Sequence, residues 1–97
     1  MESAYEECLC REFALRGIAY ERQKAVPVIY KDIKLECGSG IDLLVEKQVV
    51  VELKSIEQIA AIHEAVVLTY LKLSHNVTGL LINFHVPVLK DGIRRYI

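Results

Sequence analysis

Asp42 stands ten residues before Glu52-Leu53-Lys54, and side chains of these types can bind a metal and hydrolyse a phosphodiester. Glu52 and Lys54 are two apart at the end of an apolar run, Val49-Val50-Val51-Glu52-Leu53-Lys54. In a strand, residues i and i+2 project from one face. A carboxylate and an ammonium would then stand side by side, with Val49, Val51 and Leu53 on the opposite face. Two acids can hold Mg2+, and a lysine can orient a nucleophilic water or stabilise developing charge on phosphate. An E-x-K pair on a strand is also a common surface pattern. Here the charges follow a run of valines that reads as a buried strand, where solvated charges are less expected.

The register of the preceding strand must bring Asp42 to the same place. Ile41-Asp42-Leu43-Leu44-Val45 and Val49-Val50-Val51-Glu52-Leu53 read as a hairpin around Glu46-Lys47-Gln48. A three-residue loop pairs Val45 with Val49, Leu43 with Val51 and Asp42 with Glu52. Both carboxylates then share one face. A two-residue turn would put them on opposite faces. The three-residue loop is therefore expected, although it lacks the glycine such loops prefer.

The remaining elements follow from periodicity. Residues 2–16 read as a helix stopped by Gly17, with Tyr5, Cys8, Leu9 and Phe13 on one face. Glu2 projects on the Leu9 and Phe13 side, toward the acidic residues. Tyr20 to Tyr30 reads as one strand, and Pro27 places it at an edge or at a bulge. Lys31-Asp32 reads as a tight turn leading to Ile33 and Leu35, and Cys37-Gly38-Ser39-Gly40 as a flexible loop where backbone can approach a site. Residues 57–74 form the clearest helix, with Ile59, Ile62, His63, Val66, Val67, Tyr70 and Leu71 at helical spacing. His63 reads first as a core histidine and second as a catalytic one. Gly79 to Phe84 is a further strand, Lys90-Asp91-Gly92 a turn, and Ile93 to Ile97 a short edge strand. This order makes an α/β sandwich with a mixed sheet.

At 97 residues the chain reads as a single domain, 1–97, with a modest core. It is 53% hydrophobic, rich for that size, which points to surface covered by a second copy, a homodimer. A net charge of -1 argues against a strong non-specific coat for nucleic acid. Arg22 with Lys24, Lys31 with Lys34, and Lys90 with Arg94 and Arg95 are local basic pairs that read first as solubilising charge. Three cysteines do not make a disulfide framework. Cys8 and Cys10 point to nearly opposite sides of a helix, and no Cys/His spacing suggests zinc. Reduced thiols fit a cytoplasmic protein. The acidic N-terminus does not read as a signal peptide, and no apolar stretch reaches transmembrane length, so no membrane partner is expected.

The element order and these residues resemble the PD-(D/E)XK nuclease superfamily, with Asp42 as the motif's aspartate and Glu52-Leu53-Lys54 as its (D/E)-x-K. The chain is similar along nearly its whole length to the small prokaryotic GxxExxY proteins of that superfamily. The residues that carry this are Glu2-Ser3-Ala4-Tyr5, Ile41-Asp42-Leu43-Leu44-Val45, Val51-Glu52-Leu53-Lys54, His63-Glu64-Ala65, Leu68-Thr69-Tyr70-Leu71, and Leu81-Ile82-Asn83-Phe84 with Leu89-Lys90-Asp91-Gly92-Ile93-Arg94-Arg95. The resemblance implies a restriction-endonuclease-like core in the order αβββαβ. It implies that Asp42 and Glu52 hold Mg2+ or Mn2+ with the Leu53 carbonyl, that Lys54 positions the attacking water, and that Glu2 adds a carboxylate. His63 and Tyr70 would support the site from the second helix. The partner implied is nucleic acid, in the first place DNA. Three departures stand out. The family's first glycine would precede Met1, Val66 stands where relatives tend to have glutamine, and Gly38-Ser39-Gly40 lacks aromatic and basic residues. An alternative is therefore a binding or assembly module that keeps the nuclease fold without cleavage.

Overall fold

The hairpin of β4 (Gly40–Val45) and β5 (Val49–Lys54) sits at the centre of the sheet. It is seen in a computed structural model that describes residues 1–26, 28–30, 33–35, 40–76 and 78–97. Val45 lies opposite Val49 and Leu43 opposite Val51, the register expected from a three-residue loop. The loop manages without glycine because Glu46 and Lys47 both enter the left-handed region, at φ 53° and 59°. Its conformation is held from outside. The Glu46 N–H donates to the Ala19 carbonyl at 2.9 Å, and the Ala19 N–H donates to the Glu46 carboxylate at 3.2 Å.

Around the hairpin the strand order is β1-β4-β5-β6-β7. The edge strand β1 (Tyr20–Ala25) runs antiparallel to β4, β6 (Thr78–Asn83) parallel to β5, and β7 (Ile93–Tyr96) antiparallel to β6. A parallel pair needs a long crossover, and the helix α2 (Ala61–Ser74) supplies it. A separate small sheet pairs β2 (Val28–Tyr30) with β3 (Ile33–Leu35). The single strand expected from Tyr20 to Tyr30 is therefore two strands in two sheets. A proline, which donates no ladder hydrogen bond, lies between them in the sequence. The full order is one helix, five strands, a second helix, β6, a 3-10 turn at Leu89–Gly92 and β7. It is longer than αβββαβ by the β2–β3 hairpin and β7. The expectations for Pro27, Lys31-Asp32 and Cys37-Gly38-Ser39 fall on positions outside the described residues.

The two helices cover opposite faces. Val50, Leu44, Ile41 and Leu81 pack with Val67 and Leu71 of α2. Leu43, Val51, Leu53 and Ile82 pack with Cys10 of α1 (Glu2–Leu15), joined by Leu9 and Phe13. Helix α1 ends where expected. Gly17 at φ 68° lets its own N–H reach the Ala14 carbonyl and the Ile18 N–H reach the Phe13 carbonyl, a Schellman closure. Its inward face differs from the expected one, because Cys8 is exposed and Glu6 is buried. Apolar periodicity ranks Cys8 above Glu6, but a buried carboxylate is tolerated when its oxygens are satisfied, and β1 satisfies them.

Helix α2 begins at Ala61 rather than at residue 57, because Ala60 is extended and its N–H bonds to His63 Nδ1 at 2.8 Å. Ile62 is 67% exposed, so it leaves the expected buried stripe, which centres on Val67 and Leu71. In the same first turn Glu64 accepts the Tyr96 hydroxyl hydrogen, and Arg94 pairs with the same carboxylate at 3.1 Å, tying α2 to β7. Among the described residues no helix is long and apolar enough to cross a membrane.

The seating of α2 depends on Gly79. A Cβ there would lie 2.8 Å from Val67 Cγ1 and 3.2 Å from Leu71 Cδ1. Overpacking of this kind costs about 1–3 kcal/mol, and Gly79→Ala is expected to lose that much stability in urea denaturation. A loss well below that range would mean that the helix can shift away from the sheet.

Candidate active site

The acid pair forms where β4 and β5 cease to be an ordinary ladder. Backbone pairing runs from Val45 opposite Val49 to Leu43 opposite Val51. Beyond it, Asp42 Oδ2 accepts the Leu53 N–H at 2.8 Å. Ile41 belongs to the core under α2 and Leu43 to the core under α1, so the strand's alternation is broken at Asp42. The Asp42 carboxylate can thus reach sideways to β5, close enough to Glu52 to raise its pKa.

Glu52 continues the row of Val50 along β5 and is only 7% exposed. Its Oε1 is buried without a hydrogen-bond partner among the described residues. Burial pushes its carboxyl from an ordinary 4.5 up to about 8, helped by the hydrogen bond to Asp42 and by the charges of Asp42 and Glu2. The charge of Lys54 acts the other way. Desolvation and a like charge both favour the protonated acid.

Two sets of polar contacts hold this arrangement. Arg22 and Lys24 of β1 pair with Leu43 and Ile41, which puts Gln23 opposite Asp42. Gln23 has φ 49°, a left-handed conformation inside a strand, and its Nε2 reaches both Glu6 Oε1 at 3.2 Å and Asp42 Oδ1 at 3.5 Å. Arg22 clamps Glu6 from Nε at 3.0 Å and Nη2 at 2.6 Å, and Nη2 also reaches Glu7 at 2.8 Å. At the other end, buried Asn83 donates to the Ile56 carbonyl at 2.9 Å and accepts from Ile56 N–H at 3.1 Å and His85 N–H at 3.2 Å. The Phe84 N–H bonds the Lys54 carbonyl at 2.9 Å. The chain leaving Lys54 is therefore fixed rather than free.

Of the residues singled out from the sequence, Asp42 bonds the Leu53 N–H, and the charges of Asp42, Lys54 and Glu2 bear on Glu52. His63 uses Nδ1 to cap the first turn of α2. Tyr70 packs half-buried against the α2-side core. Sequence reasoning missed Glu6, Gln23 and Asn83. Glu6 had a signal, since it lies four residues after Glu2 on the same helix face. Gln23 had none, because its backbone conformation and its place opposite Asp42 are properties of the sheet.

Among the described residues, no group of three or more His, Cys, Asp and Glu side chains forms a metal cage. The site fits a cation of a particular kind. Mg2+ is usually held by one or two carboxylates and keeps several waters or substrate oxygens. A buried orphan carboxylate oxygen beside a second carboxylate suits that demand.

The raised carboxyl of Glu52 makes stability depend on pH. Between about 4.5 and about 8 the folded protein holds a proton that the unfolded chain has released. Stability from this group is full below that window and falls as pH rises through it. Glu52→Gln should remove the dependence and gain stability over the parent most at the alkaline end. Urea titrations at several pH values check this. Parallel curves for the two proteins would contradict it.

No curated protein and no solved structure matches the chain. The described fold, with its mixed five-stranded sheet and two helices, is compatible with the core built around the acid pair and lysine. The chain matches the PD-(D/E)XK nuclease superfamily over residues 1–96 and belongs to it.

Proposed function

We propose that the protein is a Mg2+-dependent nuclease that hydrolyses DNA phosphodiester bonds at the end of β5. The observation that carries this reading is the Asp42–Glu52 pair with its buried orphan oxygen, in a chain of the nuclease superfamily. Asp42, Glu52 and the Leu53 carbonyl would hold Mg2+ or Mn2+. The bound cation supplies Lewis acidity toward the scissile phosphate and a lowered pKa for water. Lys54 orients the attacking water and stabilises charge on the phosphate oxygens. Glu2 contributes a further carboxylate from α1, and His63 and Tyr70 support the site from α2. The clamps on Asp42 from Gln23 and on the strand end from Asn83 keep the donors in place before substrate arrives, which is where electrostatic catalysis gains most.

The finer likeness to the GxxExxY proteins belongs to the same proposal, as does a cytoplasmic location, which suits the free thiols of Cys8 and Cys10. A homodimer would use the outer groove of α2, where Ile62, Ala65, Val66 and Thr69 line a cavity of about 220 Å³.

Two variants test the chemistry. Asp42→Ala should abolish Mg2+ and Mn2+ binding in titration calorimetry and remove metal-dependent cleavage of labelled DNA. Lys54→Ala should retain metal binding and cut at least ~100-fold more slowly. Undiminished cleavage by both variants would overturn the assignment.

A further inference from the structure

We propose that a cleft between the start of α1 and the segment after β6 is a stacking subsite for an unpaired nucleobase. The substrate would then be single-stranded DNA, or a strand whose bases have turned out of the duplex. This inference rests on the nuclease reading above and names the form of nucleic acid that the site takes.

The cleft has a volume of about 330 Å³ and is lined by Tyr5, Phe84, His85, Val86 and Pro87. Its wall is a parallel aromatic pair: the Tyr5 and Phe84 rings lie 1° from coplanar orientation with centroids 4.4 Å apart. Both rings are half-buried, and His85 is exposed at the rim. The wall is rigid. Tyr5 stands on a helix, the Phe84 N–H is bonded to the Lys54 carbonyl, and the His85 N–H is bonded to Asn83.

The cleft and the acid site lie at the same end of β5 and β6. On the sheet, Lys54 pairs with Asn83, and Phe84 is the next residue. On the helix, Tyr5 lies three residues after Glu2, whose charge reaches Glu52. In the proposed complex, a strand with its phosphate at Lys54 would pass the aromatic pair and His85, which follow the Lys54 partner Asn83 in the chain.

Charge explains why such a surface is needed. With a net charge of -1 the chain has little excess cation with which to release counterions from a phosphate backbone. Stacking on aromatic rings is the other general source of affinity for single strands, and it tolerates any base sequence. Within a duplex each base face is covered by its neighbours, so this surface becomes useful only after a base has been freed.

The test is equilibrium binding in EDTA, where nothing is cut, followed by fluorescence anisotropy. Three probes of one length are compared: a single strand, the blunt duplex of the same sequence, and a single strand with abasic sugars at its centre. The parent protein should bind the single strand about tenfold more tightly than the abasic strand, and the duplex more weakly than the single strand. Phe84→Ala should lose that factor on the single strand and nothing on the abasic one. If Phe84→Ala does not fold, Phe84→Leu, which keeps apolar bulk in the core under α1 but removes the ring, decides the matter in the same way. Equal binding of normal and abasic strands, or no binding of any probe, overturns the subsite. Metal-dependent cleavage alongside equal binding overturns the subsite and leaves the nuclease reading intact. Base-dependent binding by a protein that cuts nothing in Mg2+ supports the subsite and overturns the nuclease reading.

Discussion

Two carboxylates pressed together at the end of a buried strand are an electrostatic cost, and the rest of the structure is arranged so that they stay there. Like charges in a poorly solvated place repel strongly. Left alone, Asp42 would turn outward and Glu52 would find water. The β4–β5 register prevents the first, because Asp42 is anchored to the Leu53 N–H. Packing of the two faces prevents the second, because Glu52 lies between strands that are buried above and below. A proton on Glu52 relieves the repulsion.

The same constraint explains why the surrounding polar residues are so closely tied. Gln23 adopts an uncommon backbone conformation and links Asp42 to Glu6. Glu6 is buried only because Arg22 and Gln23 supply its donors. Asn83 satisfies three backbone groups around the exit of β5 and β6. Each contact is modest by itself. Together they fix both ends of the short segment that carries the acid pair, so the site is built before any ligand enters.

Much of this was legible in the sequence, for identifiable reasons. The hairpin register followed from period-two alternation and the need to put valines and leucines on one face. The end of α1 followed from Gly17, and the mixed sheet from a helix placed between two apolar strands. Other features were hidden. The inward face of α1 departs from its apolar spacing at Cys8 because burial of Glu6 depends on partners 16 and 17 positions away. Helix α2 starts later than its apolar spacing suggests because the cap is a histidine nitrogen, which propensity does not anticipate. The stripe on α2 included Ile62 because apolar spacing cannot tell a covered face from an open one. The division of the strand after Ala25 depends on which sheet each half joins, and that is a tertiary matter.

The edges of the sheet carry a consequence of another kind. An unpaired strand edge is a template for pairing with another chain, and proteins blunt it with charge. Strand β1 presents Glu21, Arg22 and Lys24 along one border, and β7 presents Arg94 and Arg95 along the other. Within the five-stranded sheet the most apolar strands, β4, β5 and β6, are all interior. The five-stranded sheet therefore opens the edges of these strands only while it is unfolded or half assembled. Until β1 and β7 dock, the flanks of β4 and β6 are open templates for pairing with another chain.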